Sequence, residues 1–322
     1  MERRVIAILF SDLHLGLWSK FNEGHSRTKQ AFRLLKKVFK ECKEHKCYPL
    51  FGGDFFHKPE YVETELMGYL IQFVGDNSIK RPILGISGNH DMNKTNQVNK
   101  LSPSLWHNIS QAWPSMFKDI SLSSEEFFPG FRVYGIPYLD HNIGLNEYVQ
   151  KINLNPKEKN ILLLHTDYPG AEDTNGIEVG SVENLNTNLL SKFDLTLIGH
   201  IHKPQRLGRK VYIIGAPFQQ RRTDRSAKLG YWRLYNTLEM EFVSLDNFPK
   251  FIDVESSDMI KDDGNYYTVI GGLKKPEEES REISVSVGMS KKKMVSRYLK
   301  AINDRDPEKK KVLLDILNEV EV

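Results

Sequence analysis

Cysteine is nearly absent: Cys42 and Cys47 are the only two in 322 residues. With no second pair they can complete neither a four-thiolate metal site nor a disulfide framework, so they read as two reduced thiols. An excess of one charge is also missing. Lys and Arg total 45 against 42 Asp and Glu, a net charge of +3. A protein that coats nucleic acid usually carries a larger excess, so any polyanion contact must come from local patches or from a partner. No window reaches the roughly 20 apolar residues of a membrane helix, and no membrane association is expected. The apolar run 5–10 is only six residues long with no small-residue cleavage site after it. It reads as a buried strand rather than an export signal, and the expected location is the cytoplasm. The G-x-x-x-x-G-K-[ST] pattern is absent, which excludes ATP hydrolysis by a P-loop. No internal repeat is visible.

What is present begins as alternating strand and helix patterns. After the strand at 5–10, residues 27–47 place Ala31, Leu34, Leu35, Val38, Phe39 and Cys42 at three- and four-residue spacing, an amphipathic helix with a basic outer face. Further strands are expected at 48–53 and 81–87, with a helix at about 63–74 between them. This order predicts a parallel sheet with helices on it. Short strands at 131–137, 160–165, 195–199, 210–215, 230–234 and 239–245, with little helix between them, predict a second sheet packed on the first. The expected fold is α/β, a four-layer α/β/β/α sandwich over about 1–245. A small α+β unit is expected at 246–288. The tail 289–322 reads as two helices, the second opening at Asp306-Pro307 with Asp as N-cap and Pro at the first helical position.

Five short motifs each follow an expected strand, where ligand sites form in open α/β sheets. Ser11-Asp12-Leu13-His14 offers a carboxylate and an imidazole two residues apart, able to meet one ion. Gly52-Gly53-Asp54 turns tightly beside an ion, and both Asp54 oxygens could bridge two. Gly88-Asn89-His90-Asp91 adds a neutral amide oxygen. His165 ends the apolar run 161–164, and Gly199-His200-Ile201-His202 brings two more imidazoles. Any one of these histidines is more often a satisfied core or surface residue, but five motifs in this order exceed coincidence. Together they provide Asp12, His14, Asp54, Asn89, His165, His200 and His202 as metal ligands, with His90 left over. Mixed N/O ligation suits Mn²⁺, Fe²⁺ or Zn²⁺, and two ions about 3.5–4 Å apart clamp a phosphoryl group and activate water. His90 is then free as general acid, with Asp91 expected to orient it.

In the same order and over about 5–245, these motifs resemble the calcineurin-like metallophosphoesterase superfamily. The resemblance implies one ion held by Asp12, His14, Asp54 and His202, and a second by Asp54, Asn89, His165 and His200. It also implies that His90 is catalytic. The runs Asp12-Leu13-His14-Leu15-Gly16 and Gly53-Asp54-Phe55-Phe56-His57 are similar to the SbcD nuclease family, in a short, phage-type version. So are residues 131–138, the turn Gly215-Ala216-Pro217, the strand at 230–234 and the segment 249–255. That likeness implies a Mn²⁺-dependent DNA exonuclease and endonuclease of repair and recombination. It further implies a role for His57 beside the site, a DNA-binding cap at 246–288, and a homodimer within a heterotetramer. The partner would be a separate SbcC-type coiled-coil ATPase, docked on the C-terminal helices.

A nuclease holds the phosphate backbone mainly with Lys and Arg. The basic loop with Arg221, Arg222 and Arg225 and the loop with Lys20 and Arg27 are the candidates, with Trp18 and Phe21 available for base stacking. Two other readings stand beside this one. The first is a phosphodiesterase of small molecules or a protein phosphatase. The second is a non-catalytic DNA-end scaffold.

Overall fold

The computed structural model describes residues 2–18, 20–59, 61–92, 104–139, 144–179 and 185–270. The chain divides into a main unit, Met1–Ile252 with Lys261–Thr268, and a second, Asp253–Ile260 with Val269–Val322. Of the expected cap, 271–288 lie outside the described residues, as does the whole tail 289–322.

Two six-stranded sheets build the main unit. In the first, β1 (Val5–Phe10), β2 (Tyr48–Phe51), β3 (Ile83–Gly85) and β4 (Phe117–Asp119) run parallel. A hairpin of β13 (Gly230–Tyr235) and β14 (Met240–Ser244) pairs antiparallel with β1. The second sheet has β6 (Phe131–Ile136), β7 (Lys159–His165), β10 (Leu195–Gly199) and β12 (Val211–Ile213) in parallel. Antiparallel edges are added by β5 (Ser124–Phe128) and β11 (Gln205–Leu207), while β8 (Ala171–Glu172) and β9 (Glu178–Val179) form a separate antiparallel ribbon.

Both faces of each sheet are covered, which is why β1 reads as an uninterrupted apolar run. Ile6, Leu9, Leu50 and Leu84 of the first sheet meet Val133, Ile161, Leu163 and Leu197 of the second in one buried layer. On the outer face of the first sheet, Ile8, Phe10 and Phe51 pack against Leu34, Leu35 and Val38 of α1 (Ser26–His45) and Leu66 and Leu70 of α2 (Thr64–Asp76). Leu162, Leu164 and Ile198 do the same for the second sheet, against Leu145 and Val149 of α4 (Leu145–Lys151) and Leu190 of the 3₁₀ turn Thr187–Lys192. The four-layer α/β/β/α order expected from the sequence is the one found.

Two helices not expected from the sequence pattern are present, α4 and α3 (Leu105–Ala112). The latter carries Trp106, fully buried beneath Phe51 and Phe55. In the main unit Tyr266 N–H bonds the Lys250 carbonyl at 2.8 Å, at the start of the two-stranded ribbon of β15 (Phe251–Val254) and β16 (Tyr266–Val269). The second unit, where described, holds the 3₁₀ turn Ser257–Met259 and a 2.7 Å bond from Ile270 N–H to the Val254 carbonyl. No helix among the described residues is long and apolar enough to cross a membrane.

Candidate metal centre

The chain continues to pair after β1 and β2 end. Asp12 N–H bonds Gly53 O at 2.9 Å, His14 N–H bonds Asp54 O at 3.0 Å and Leu15 N–H bonds Phe55 O at 2.7 Å. This ladder locks Asp12, His14 and Asp54 beside one another. Nine non-glycine residues have positive φ among those described, and four of them are Asp12, His14, Asp54 and His200. Left-handed backbone is sterically costly for such residues. Its concentration at these strand ends marks a place where side-chain direction overrides backbone comfort.

The motif glycines are explained by close approach. A Cβ on Gly199 would meet His165 Nδ1 at 2.9 Å, with Gly52 O and Ser11 Oγ nearer still. One on Gly88 would meet Asp54 Cγ at 2.7 Å. The loops carrying Asp54, Asn89, His165 and His200 touch backbone to side chain, so no methyl group fits between them.

Three groups of donor atoms lie within 4.8 Å of one another: Asp12 with His14 and His202, Asp54 with His165 and His200, and His14 with His57 and His90. Asp54 links the first two. Its Oδ2 lies 3.7 Å from His14 Nε2 and 3.4 Å from His165 Nε2. His165 Nε2 is also 3.2 Å from Asn89 Oδ1, and His14 Nε2 is 3.2 Å from His202 Nε2.

The chemistry of these contacts fits a cation. His165 Nδ1–H donates to Gly52 O at 2.7 Å, so its other nitrogen presents a lone pair to two oxygens. Acceptors facing acceptors require positive charge between them, and a backbone carbonyl on the far ring nitrogen is the usual support of a ligating histidine. Without a metal ion, a proton takes that place. Burial favours neutral His165, but Asp54 outweighs it and lifts the imidazole to about 9. Burial likewise acts to raise Asp54, and His165, His14 and His90 together hold it well below the ordinary carboxylate range. Burial drives His14 well below its ordinary value.

His90 stands at the edge of this centre, its ring 4.6 Å from that of His14. The neighbour of its ring is not Asp91, as the sequence suggested. His90 Nδ1–H donates to the backbone carbonyl of His57 at 2.8 Å, which leaves Nε2 to gain and lose a proton. Asp91 is fully buried and accepts from Gly88 N–H at 2.9 Å, Phe56 N–H at 2.9 Å and Phe55 N–H at 3.2 Å. It ties the third motif to the second, a role that adjacency in sequence does not distinguish from pairing with the His90 ring. Burial and the charge of Asp54 raise its carboxyl to about 7 against these three donors. Burial, then His90, Arg221 and Lys58, push His57 down to about 4, so its ring is neutral at ordinary pH.

The basic candidates divide. Arg221, Arg222, Arg225 and Lys20 are exposed. Arg27 is only 8% exposed. Its guanidinium donates to the carbonyls of Lys20 and Gln220 and lies 3.9 Å over the ring of Trp18. It is therefore a structural cation, not a hand held out to phosphate. Trp18 is also spoken for, its ring 4.2 Å from that of His57 and tilted by 33°.

Two residues at the centre were not expected from the motifs. Asp167 Oδ1 lies 3.3 Å from His200 Nε2; its place two residues after His165 is the same spacing as Asp12 and His14, and was the available signal. Gln220 donates from its side chain to Asp12 O, a contact with no sequence signature. Asp224 shapes that loop, accepting from Gln220 N–H at 2.9 Å and Arg221 N–H at 3.0 Å.

A family model described as calcineurin-like phosphoesterase matches residues 7–204, which takes in all five motifs. Among curated proteins, the chain is 25% identical over 173 residues to the candidate phosphoesterase 244L of Invertebrate iridescent virus 6, covering 52% of this chain and 57% of that one. It is 22% identical over 212 residues to the SbcD component of the SbcCD nuclease of Staphylococcus saprophyticus, covering 60% and 55%. The chain thus spans little more than half the length of either relative.

Proposed function

The chain belongs to the calcineurin-like phosphoesterases, and on that premise we propose that it is a Mn²⁺-dependent DNA nuclease, cutting phosphodiester bonds with two metal ions. The observation that carries the reading is the pair of donor clusters meeting at Asp54. Asp12, His14, Asp54 and His202 would hold one ion, and Asp54, Asn89, His165 and His200 the other. When bound, such a pair neutralises charge on the phosphoryl oxygens and lowers the pKa of attacking water.

The chain's own residues supply the rest. His90, fixed through Nδ1 by the His57 carbonyl, protonates the leaving oxygen from Nε2. Asp91 keeps the loop that carries His90 against the loop that carries His57. Asp167 orients His200. The exposed Arg221, Arg222 and Arg225, with Lys20, hold the phosphate backbone. Arg221 is near enough to depress His57 electrostatically, which supports a location for this loop at the mouth of the centre. The similarity to a component of an SbcCD nuclease favours DNA as the substrate. The name of that relative also points to a second component of its complex, which favours an SbcC-type partner. Docking of an ATPase on the tail 289–322, a DNA-binding cap at 246–288, and a homodimer within a heterotetramer in the cytoplasm rest on the motif resemblance alone.

The deciding experiment offers Mn²⁺-loaded protein a linear DNA duplex and a nitrophenyl phosphodiester side by side. Degradation of the duplex supports the nuclease reading. Turnover of the small ester with intact DNA would replace it with a small-molecule phosphodiesterase. Metal and DNA binding without turnover of either would leave a scaffold.

A further inference from the structure

A column of flat groups runs from the interior to the proposed acid. The Arg27 guanidinium lies 3.9 Å over Trp18, and the Trp18 ring lies 4.2 Å from that of His57 at 33°. The His57 ring lies 5.8 Å from that of His90, tilted by only 9°. At the far end, His57 also grips His90 through its own backbone carbonyl.

The anchor of this column is costly. Arg27 sits in the first turn of α1, where the helix dipole disfavours a cation. It is nearly fully buried, and no carboxylate among the described residues bonds it. It is satisfied by two backbone carbonyls, of Lys20 and Gln220, and by ring faces: Trp18 at 3.9 Å, Phe251 at 5.5 Å and Tyr266 at 5.9 Å. A buried, singly charged side chain is a poor source of stability. It does give geometry, because a planar guanidinium fixes both the face of an indole and the path of two loops. One of those loops includes Gln220, which caps the Asp12 carbonyl, and Arg221 follows it directly.

We infer that Arg27 and Trp18 are positioning residues of the reaction, holding His57 so that its carbonyl sets the His90 ring for proton donation. This rests on His90 being the acid. The ring contacts of Trp18 are with Arg27 and His57, and neither is among the seven proposed ion ligands. Loss of Trp18 should therefore damage proton donation and spare ion binding.

The test uses the full chain with methyl aryl phosphodiesters whose leaving phenols span a range of pKa. A good leaving group such as 4-nitrophenolate needs little protonation, whereas a poor one depends on the acid, a contribution of about 10²–10⁴-fold. Trp18→Leu and Arg27→Met are expected to lower kcat by about 10-fold or more for the poorest leaving group and by less than about 3-fold for 4-nitrophenol. His90→Asn should show the same steepening more strongly. Trp18→Phe keeps a ring face and should recover most of the loss; Arg27→Lys, lacking the plane, should not. Ions bound per chain should stay unchanged in Trp18→Leu. In the metal-free protein, the ring-current shift of the His57 Cε1 proton should vanish.

If His90→Asn is steep while Trp18→Leu follows wild type, the positioning role is wrong and the acid assignment stands. A Trp18→Leu loss equal for all leaving groups also overturns it, since that is general damage. If His90→Asn itself is no steeper than wild type, the acid assignment falls and takes this inference with it.

Discussion

Replacing Gly88 by alanine isolates steric fit from every other property of the centre. Gly88 has φ −93°, ordinary extended backbone in which alanine is unstrained. The obstacle is Asp54: the new methyl would sit 2.7 Å from its Cγ, with Oδ1 and the backbone nitrogen nearer. Carbon atoms settle at about 3.5–4.0 Å, so the carboxylate must retreat by about 1 Å. It has nowhere convenient to go. Asp54 O is held by His14 N–H at 3.0 Å, and its Oδ1 by His90 N–H at 2.7 Å. Overpacking of this kind costs about 1–3 kcal/mol, and a misplacement of about 1 Å in a reacting constellation costs on the order of 10²-fold in rate. The expected result is a Tm lower by about 2–4 °C per kcal/mol of destabilisation, weaker metal binding by calorimetry, and kcat down about 100-fold. Gly130 is the control. It has φ +78°, and a methyl group there would meet nothing within 4 Å, so Gly130→Ala strains the backbone by about 1 kcal/mol and touches nothing else. It should lower Tm and leave metal affinity and kcat alone. Wild-type metal affinity and rate in Gly88→Ala would refute the reasoning, and equal loss of activity in Gly130→Ala would show that general destabilisation explains the effect.

Other expectations follow from the same geometry. Chelation should lower Tm, and Mn²⁺ restored to 100 times its Kd should recover about 2.7 kcal/mol per independent site, read by calorimetric melting. Arg221→Ala, Arg222→Ala and Arg225→Ala should each weaken DNA binding with little regard to sequence. Each should also reduce the slope of log K against log salt by about 0.9 for every phosphate no longer neutralised; an unchanged slope removes that residue from the interface. Glu41 gives a pH-dependent case. Burial acts to raise its carboxyl, but the Arg233 guanidinium at 3.0 Å and the Tyr231 hydroxyl outweigh burial and hold it below the ordinary value. A depressed carboxyl stabilises the fold above its unfolded pKa of about 4.3 and loses that contribution as pH falls through the folded value. Glu41→Gln should therefore be less stable than wild type at pH 7, by about 1–3 kcal/mol, and the two denaturation curves should converge in acid.

Much of the molecule is visible in one dimension because its parallel strands are buried on both faces. Runs such as 161–164 and 195–198 are largely apolar, and each leads directly into a motif. The candidate ligand positions follow from that regularity. Elements that depend on tertiary support do not show. α3 has eight residues, and its identity rests on Trp106 filling a space under Phe51 and Phe55. β4 has three residues and exists because Phe117 pairs with Ile83. Burial of polar groups was equally hidden. Arg27 and Trp18 lie in a polar stretch that looks solvated, yet it is closed over by Gln220, Phe251 and Tyr266. Asp91 sits next to His90 in sequence, but the turn Asn89–Asp91 aims the two side chains at different partners.

The left-handed backbone at Asp12, His14, Asp54 and His200 also bears on how such a chain can drift over generations. Each of these residues holds a conformation that glycine, and to a lesser degree asparagine, adopts with less strain. Changing one of them to glycine should relieve about 1 kcal/mol of local strain while removing a ligand. That relief is smaller than the roughly 2.7 kcal/mol that a bound ion contributes at 100 times its Kd. The ions themselves would therefore hold the carboxylates and imidazoles on strained backbone, and a chain that lost its ions would also lose the thermodynamic reason to keep these side chains.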